Sequence, residues 1–119
     1  MAAAQYRCAV SIELKGKTVL QGEIRDTERP STDQLWDLLK TLSFSPASKS
    51  KDLPDPQSVE RATLKGGLRV KVNGEGQVEL KEISLVRNKR STDAWIIAPD
   101  DVARILKMRN ASGEEKPKQ

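Results

Sequence analysis

The stretch VERATLKGGLRVKVNGEGQVELKEISLVRNKR, Val59–Arg90, decides the fold. Leu68, Val70 and Val72 alternate with Arg69, Lys71 and Asn73, and Val78 and Leu80 alternate with Gln77, Glu79 and Lys81. Period-2 alternation of this kind is the mark of half-buried strands, and Asn73-Gly74-Glu75-Gly76 between them has turn composition. The sequence therefore predicts a long hairpin, Leu64–Val72 against Gln77–Arg87. Directly paired residues share a face, so a three-residue loop, Gly74-Glu75-Gly76, is expected to set Val72 opposite Val78 and Val70 opposite Leu80. That register puts Lys71 beside Glu79. The apolar parity then changes between Leu80 and Ile83, which predicts a bulge at Lys81-Glu82 that restores Leu68 opposite Ile83. Lys65-Gly66-Gly67 marks a second kink.

The same stretch holds the excess charge. Of a formal +4, the segment Arg61–Arg90 contributes +5, from eight basic residues against three acidic ones, and the rest sums to −1. Local basicity of this sort points to a contact surface. The candidate partner-binding residues are Lys65, Arg69, Lys71 and Lys81 on the hairpin, and Arg87, Lys89 and Arg90 at its far end.

Working outward, Cys8, Val10, Ile12 and Leu14 alternate with polar or small neighbours and predict a first strand. Lys15-Gly16-Lys17 turns the chain, and Thr18–Arg25 returns. A three-residue loop there pairs Ile12 with Leu20 and Cys8 with Ile24, and leaves Gly22 opposite Val10, where another element can approach closely. Ser31 and Gln34 have capping-box spacing, so a helix starts at Ser31. Leu35, Leu38, Leu39 and Leu42 form its apolar stripe, with Trp36 on the flank. Ser43–Ser58, SFSPASKSKDLPDPQS, has three prolines, five serines and only Phe44 and Leu53 as large apolar residues, so a flexible loop is expected at 43–58.

Trp95-Ile96-Ile97-Ala98 reads as a short buried strand. Pro99-Asp100-Asp101 starts a second helix: proline suits the first position and the two acids complement the dipole. Its apolar stripe is Val102, Ile105 and Leu106, with Ala103 alongside, and Asn110 or Gly113 ends it. The expected organisation is one α+β domain over residues 1–110 with a disordered charged tail at 111–119. Its architecture is a largely antiparallel sheet of two β-hairpins plus a short final strand, with two amphipathic helices on one face.

The chain contains no histidine, which removes the commonest general base and metal ligand. Its single cysteine, Cys8, allows neither an internal disulfide nor a cysteine-rich zinc site. Gly74-Glu75-Gly76 opens like a dinucleotide fingerprint but lies between two strands. Asp100-Asp101 belongs to a helix start, and Asp52 and Asp55 have no third ligand nearby. No catalytic set, cofactor or metal is expected, and no motif is specific enough to carry residue roles over from a known family.

Met1–Gln5 is too short and too weakly apolar for a signal peptide, and no run approaches the ~18 apolar residues of a membrane span. A cytoplasmic, non-catalytic binding or adaptor module with a protein partner is therefore expected. Hairpins also pair into continuous sheets, so a homodimer is one form of that partnership. The alternative is a nucleic-acid-binding protein that contacts the phosphate backbone through the basic hairpin. Against it stands the absence of aromatic residues from that face, since sheets that read single strands stack bases on them.

Overall fold

The computed structural model describes residues 5–47 and 53–114, with side chains described as far as Asn110. The chain is a small α+β fold with a six-stranded, antiparallel sheet and two helices. In chain order these are β1 (Tyr6–Leu14), β2 (Lys17–Asp26), α1 (Thr32–Asp37), a 3₁₀ turn (Leu38–Lys40), β3 (Ser45–Pro46), β4 (Arg61–Val72), β5 (Gly76–Arg87), β6 (Trp95–Ile97) and α2 (Pro99–Glu114). The strand order is β3-β2-β1-β4-β5-β6.

Strands β1 and β2 pair Ile12 with Leu20, Cys8 with Ile24 and Val10 with Gly22, as the apolar alternation requires. The turn that achieves this differs from the three-residue loop expected. Leu14 pairs with Lys17 around a two-residue turn, Lys15-Gly16, both with positive φ (53° and 84°). Primed two-residue turns match the strand twist, and Val19 then bulges to restore the register between Thr18 and Leu20. A Cβ on Gly22 would stand 2.8 Å from the Ser43 carbonyl oxygen and 3.2 Å from Leu42 Cγ. Gly22→Ala is therefore expected to cost about 1–3 kcal/mol, since a backbone group must shift. Gly67→Ala, which meets nothing within 4 Å, should be neutral or slightly stabilising. Urea unfolding midpoints of the two variants check the contrast.

Strands β4 and β5 form the long antiparallel pair. Their register is two residues from expectation: Val70 faces Val78, Leu68 faces Leu80 and Val72 faces Gly76, so the three loop residues are Asn73-Gly74-Glu75. Lys71 stands opposite Gln77, and Arg69, in place of Lys71, faces Glu79. The extra residue lies on β4 instead of β5. Gly66-Gly67 oppose Lys81, and Leu64, not Leu68, faces Ile83. The reason is conformational: Gly66 takes φ +126°, a value open to glycine and strained for lysine or glutamate.

The first helix also departs from its expected stripe. Its capping box is present, with Ser31 Oγ accepting from Gln34 N at 3.1 Å and Gln34 Oε1 accepting from Ser31 N at 2.8 Å. The α-helix then tightens into the 3₁₀ turn at Leu38, which rotates the following side chains. Leu35, Trp36 and Leu39 are buried, while Leu38 is exposed and Leu42 half-buried.

Within the 43–58 stretch, two described residues enter the core. Phe44 is fully buried and Leu53 is in the core. Phe44 exchanges two backbone hydrogen bonds with Trp95, each 2.8 Å, while Ser45 and Pro46 pair with Gln21 and Leu20. Residues 44–46 thus link the β6 end of the sheet to the β2 end. Residues 48–52 lie outside the described residues.

Helix α2 buries Val102 and Ile105, with Leu106 half-buried and Ala103 exposed. It runs to Glu114, beyond Asn110 and into the expected tail, of which 115–119 lie outside the described residues. Asp101 Oδ2 accepts from Ser84 N at 2.5 Å, and Arg104 donates to the Glu82 carbonyl at 2.7 Å. These bonds seat α2 on the part of β5 that β6 does not reach.

Candidate nucleic-acid or protein interface

The seven basic candidates do not converge. Lys71 lies near the hairpin tip and Arg87 at the other end of β5, so they are separated by roughly 30 Å of strand at ~3.3 Å per residue. Two of the seven are engaged by acids. Arg69 pairs with Glu79 at 3.1 Å and reaches Glu13 at 3.9 Å. Arg87, half-buried opposite Trp95, donates to Glu60 Oε1 at 3.2 Å and to the Pro56 carbonyl at 3.3 Å. Lys65, Lys71, Lys81, Lys89 and Arg90 are exposed and make no ion pair among the described residues. Lys65 stands opposite Glu82, and Lys89 and Arg90 follow β5 in a polar loop.

What the structure does bring together is a cleft of about 810 Å³ beside the Gly66-Gly67 bulge. Two hairpin candidates, Arg69 and Lys81, line it with Lys15 from the first turn and Arg104 from α2. Glu13 and Glu79 also line it, and both are held by Arg69. Leu68, Leu80 and Met108 contribute apolar surface. The sequence signal for this place was the glycine pair inside a strand pattern. Lys15, Arg104 and Met108 carried no such signal, because only the folded sheet sets the first turn and the last helix beside that pair.

A second cluster forms where the hairpin tip docks on α1. The Glu75 side chain, only 7% exposed, pairs with Arg29 and accepts from Thr32 Oγ1 at 2.5 Å. Trp36 Nε1 donates to the Glu75 carbonyl at 3.2 Å. The Arg109 guanidinium lies over the Trp36 ring, 5.7 Å from its centroid, and pairs with Asp33 at 2.7 Å. The Thr32 hydroxyl and then the Arg29 guanidinium hold the Glu75 carboxyl below the usual range, against the opposing effect of burial. A depressed carboxylate pKa adds stability above its unfolded value of about 4.3, and that stability is lost as pH falls through the folded value. The parent is therefore expected to lose more stability than Glu75→Gln between about pH 6 and pH 3. Urea midpoints at both pH values check this, and equal losses would remove Glu75 as a source.

Among the described residues no group of three or more His, Cys, Asp or Glu side chains is arranged to hold a metal ion. Among the same residues no helix is long and apolar enough to cross a membrane. Compared with protein-family models, with curated proteins and with solved structures, the chain matches none of them.

Proposed function

We propose that the protein is a non-catalytic adaptor module that works through protein–protein contact and offers a basic β-hairpin surface to its partner. The proposal takes both helices to lie over one face of a sheet built from the two hairpins and the short last strand. The opposite face, with Lys65, Arg69, Lys71 and Lys81, is then left to meet the partner, together with the cleft between the Gly66-Gly67 bulge and α2. The observation that carries it is the mixed character of the cleft, where Lys15, Lys81 and Arg104 stand among Leu68, Leu80 and Met108. Protein interfaces combine an apolar centre with a polar rim, whereas a phosphate track asks for charge alone. A cytoplasmic setting fits the lone, buried Cys8.

The second reading, backbone contact with a nucleic acid, is favoured by the five exposed cations Lys65, Lys71, Lys81, Lys89 and Arg90. Two measurements separate the readings. A photo-crosslinking side chain placed at Lys71 or Lys81 is expected to capture protein in cells, and to do so after nuclease treatment. Labelled DNA and RNA, single- and double-stranded, are expected to show no anisotropy change that persists from ~50 to ~200 mM salt. Oligonucleotide binding that falls steeply with salt and is abolished by Lys65→Glu/Lys71→Glu would replace the adaptor by the nucleic-acid reading.

A further inference from the structure

The cleft at the glycine bulge has unmet chemistry of a definite kind. Its volume of about 810 Å³ lies within the range of pockets that enclose small ligands. Lys15 and Lys81, both exposed, make no ion pair among the described residues. Arg69 turns its terminal nitrogens to Glu79 and Glu13, while its Nε is buried with no hydrogen-bond partner among the described residues. That nitrogen is enclosed, so the donors open to an incoming acceptor are Lys15 and Lys81. Between these donors the surface is apolar, and Met108 is 38% exposed although it is a large hydrophobic side chain. The wall at Gly67 is open, since a Cβ added there meets nothing within 4 Å.

We infer that this cleft seats an acidic peptide segment of the partner. One large apolar side chain lies against Leu80 and Met108, and flanking carboxylates reach Lys15 and Lys81. The inference rests on the protein-binding role proposed above and names the chemistry of the partner. A phosphodiester chain would match the cations but leave the apolar surface uncovered. A basic peptide would meet Lys15 and Lys81 with like charge.

The test selects binders from a random peptide library displayed on phage, with the full chain immobilised. Selected sequences are then made as labelled synthetic peptides and titrated by fluorescence anisotropy. The expected result is enrichment of Asp and Glu around one Leu, Phe or Trp. Affinity is expected to fall at least about tenfold in Gly67→Leu, which fills the cleft, and in Lys15→Glu/Lys81→Glu, which reverses its rim. Lys89→Glu/Arg90→Glu, in the distant loop, should bind as the parent does. Gly67 lies outside the left-handed region, so Gly67→Leu should melt with the parent; the double reversal, at exposed positions, decides the matter where it does not.

Selected peptides without acidic residues overturn the inference. So do acidic peptides that bind both cleft variants as tightly as the parent, although the adaptor role then stands with its contact elsewhere. A selection that yields no peptide, together with salt-sensitive binding of labelled RNA or DNA, overturns the inference and the adaptor role together.

Discussion

Trp36→Ala is expected to destabilise the fold by about 3–5 kcal/mol, the range for removing a fully buried aromatic side chain. Against a total of about 5–15 kcal/mol for a domain, that loss lowers the melting temperature by on the order of 10–20 °C. The indole is fully buried, and it does three things at once. Its ring fills the space beside Gly76, where an added Cβ would stand 3.7 Å from Trp36 Cζ2. Its Nε1 satisfies the Glu75 carbonyl, and its face carries the Arg109 guanidinium. Trp36→Phe keeps most of the apolar volume but leaves that carbonyl unpaired, so about 1–3 kcal/mol is expected. Leu38→Ala is the informative control. A leucine stripe on a regular helix would bury Leu38, yet it is 38% exposed, so its loss should stay within about 0.5 kcal/mol. Urea unfolding of the three variants gives the ranking Trp36→Ala, Trp36→Phe, Leu38→Ala. A Leu38→Ala cost as large as that of Trp36→Phe would mean that α1 continues as a regular helix past Asp37.

The comparison of Trp36 with Leu38 shows where periodicity stops being informative. The capping box at Ser31 and Gln34 is local chemistry, readable from residue types three apart, and the structure contains it. The switch to a 3₁₀ turn at Leu38 is not local. It comes just after the residue on which the hairpin tip docks, where Trp36 Nε1 donates to the Glu75 carbonyl. In the sheet the same division holds. Apolar alternation was enough to align β1 with β2, because a slip of one residue would expose Val10 and Ile12. It left the turn type open, since a two-residue turn with a bulge at Val19 and a three-residue loop produce the same pairing beyond it. For β4 and β5 alternation located the irregularity, but not the strand that absorbs it. Glycine's access to φ +126° decides for Gly66.

The candidate site was legible in its charges and not in its shape. Lys65, Arg69, Lys71 and Lys81 can be picked out as a run of cations on alternating positions. Their neighbours cannot, since Glu13 and Glu79 reach Arg69 from two different strands. Arg87 shows the same limit from the other side. It looked like part of a basic end, but it lies opposite Trp95 and bonds back to Pro56 and Glu60. A list of cations overstates the positive surface wherever long-range pairing has already engaged them.

Phe44→Ala is expected to cost about 3–5 kcal/mol, a large effect for a residue in a stretch rich in serine and proline. Composition argues that Ser43–Ser58 cannot build a packed element, because two large apolar residues are too few for a core of their own. Phe44 and Leu53 do not need a core of their own, because they join the one the sheet already builds. Phe44 inserts its side chain into the core shared by both hairpins, and its backbone pairs with Trp95. One residue later the chain pairs with β2. Removing the ring leaves a cavity at the point where the two ends of the sheet are held together, so the loss should not remain local. Hydrogen exchange is expected to quicken at Trp95 N and at Ala47 N, which donates to the Val19 carbonyl at 2.9 Å. Phe44→Leu, which keeps most of the apolar volume, should cost about 1.5 kcal/mol or less and leave those amides protected. Should Phe44→Ala cost no more than a surface substitution, the segment would be a solvated tether after all.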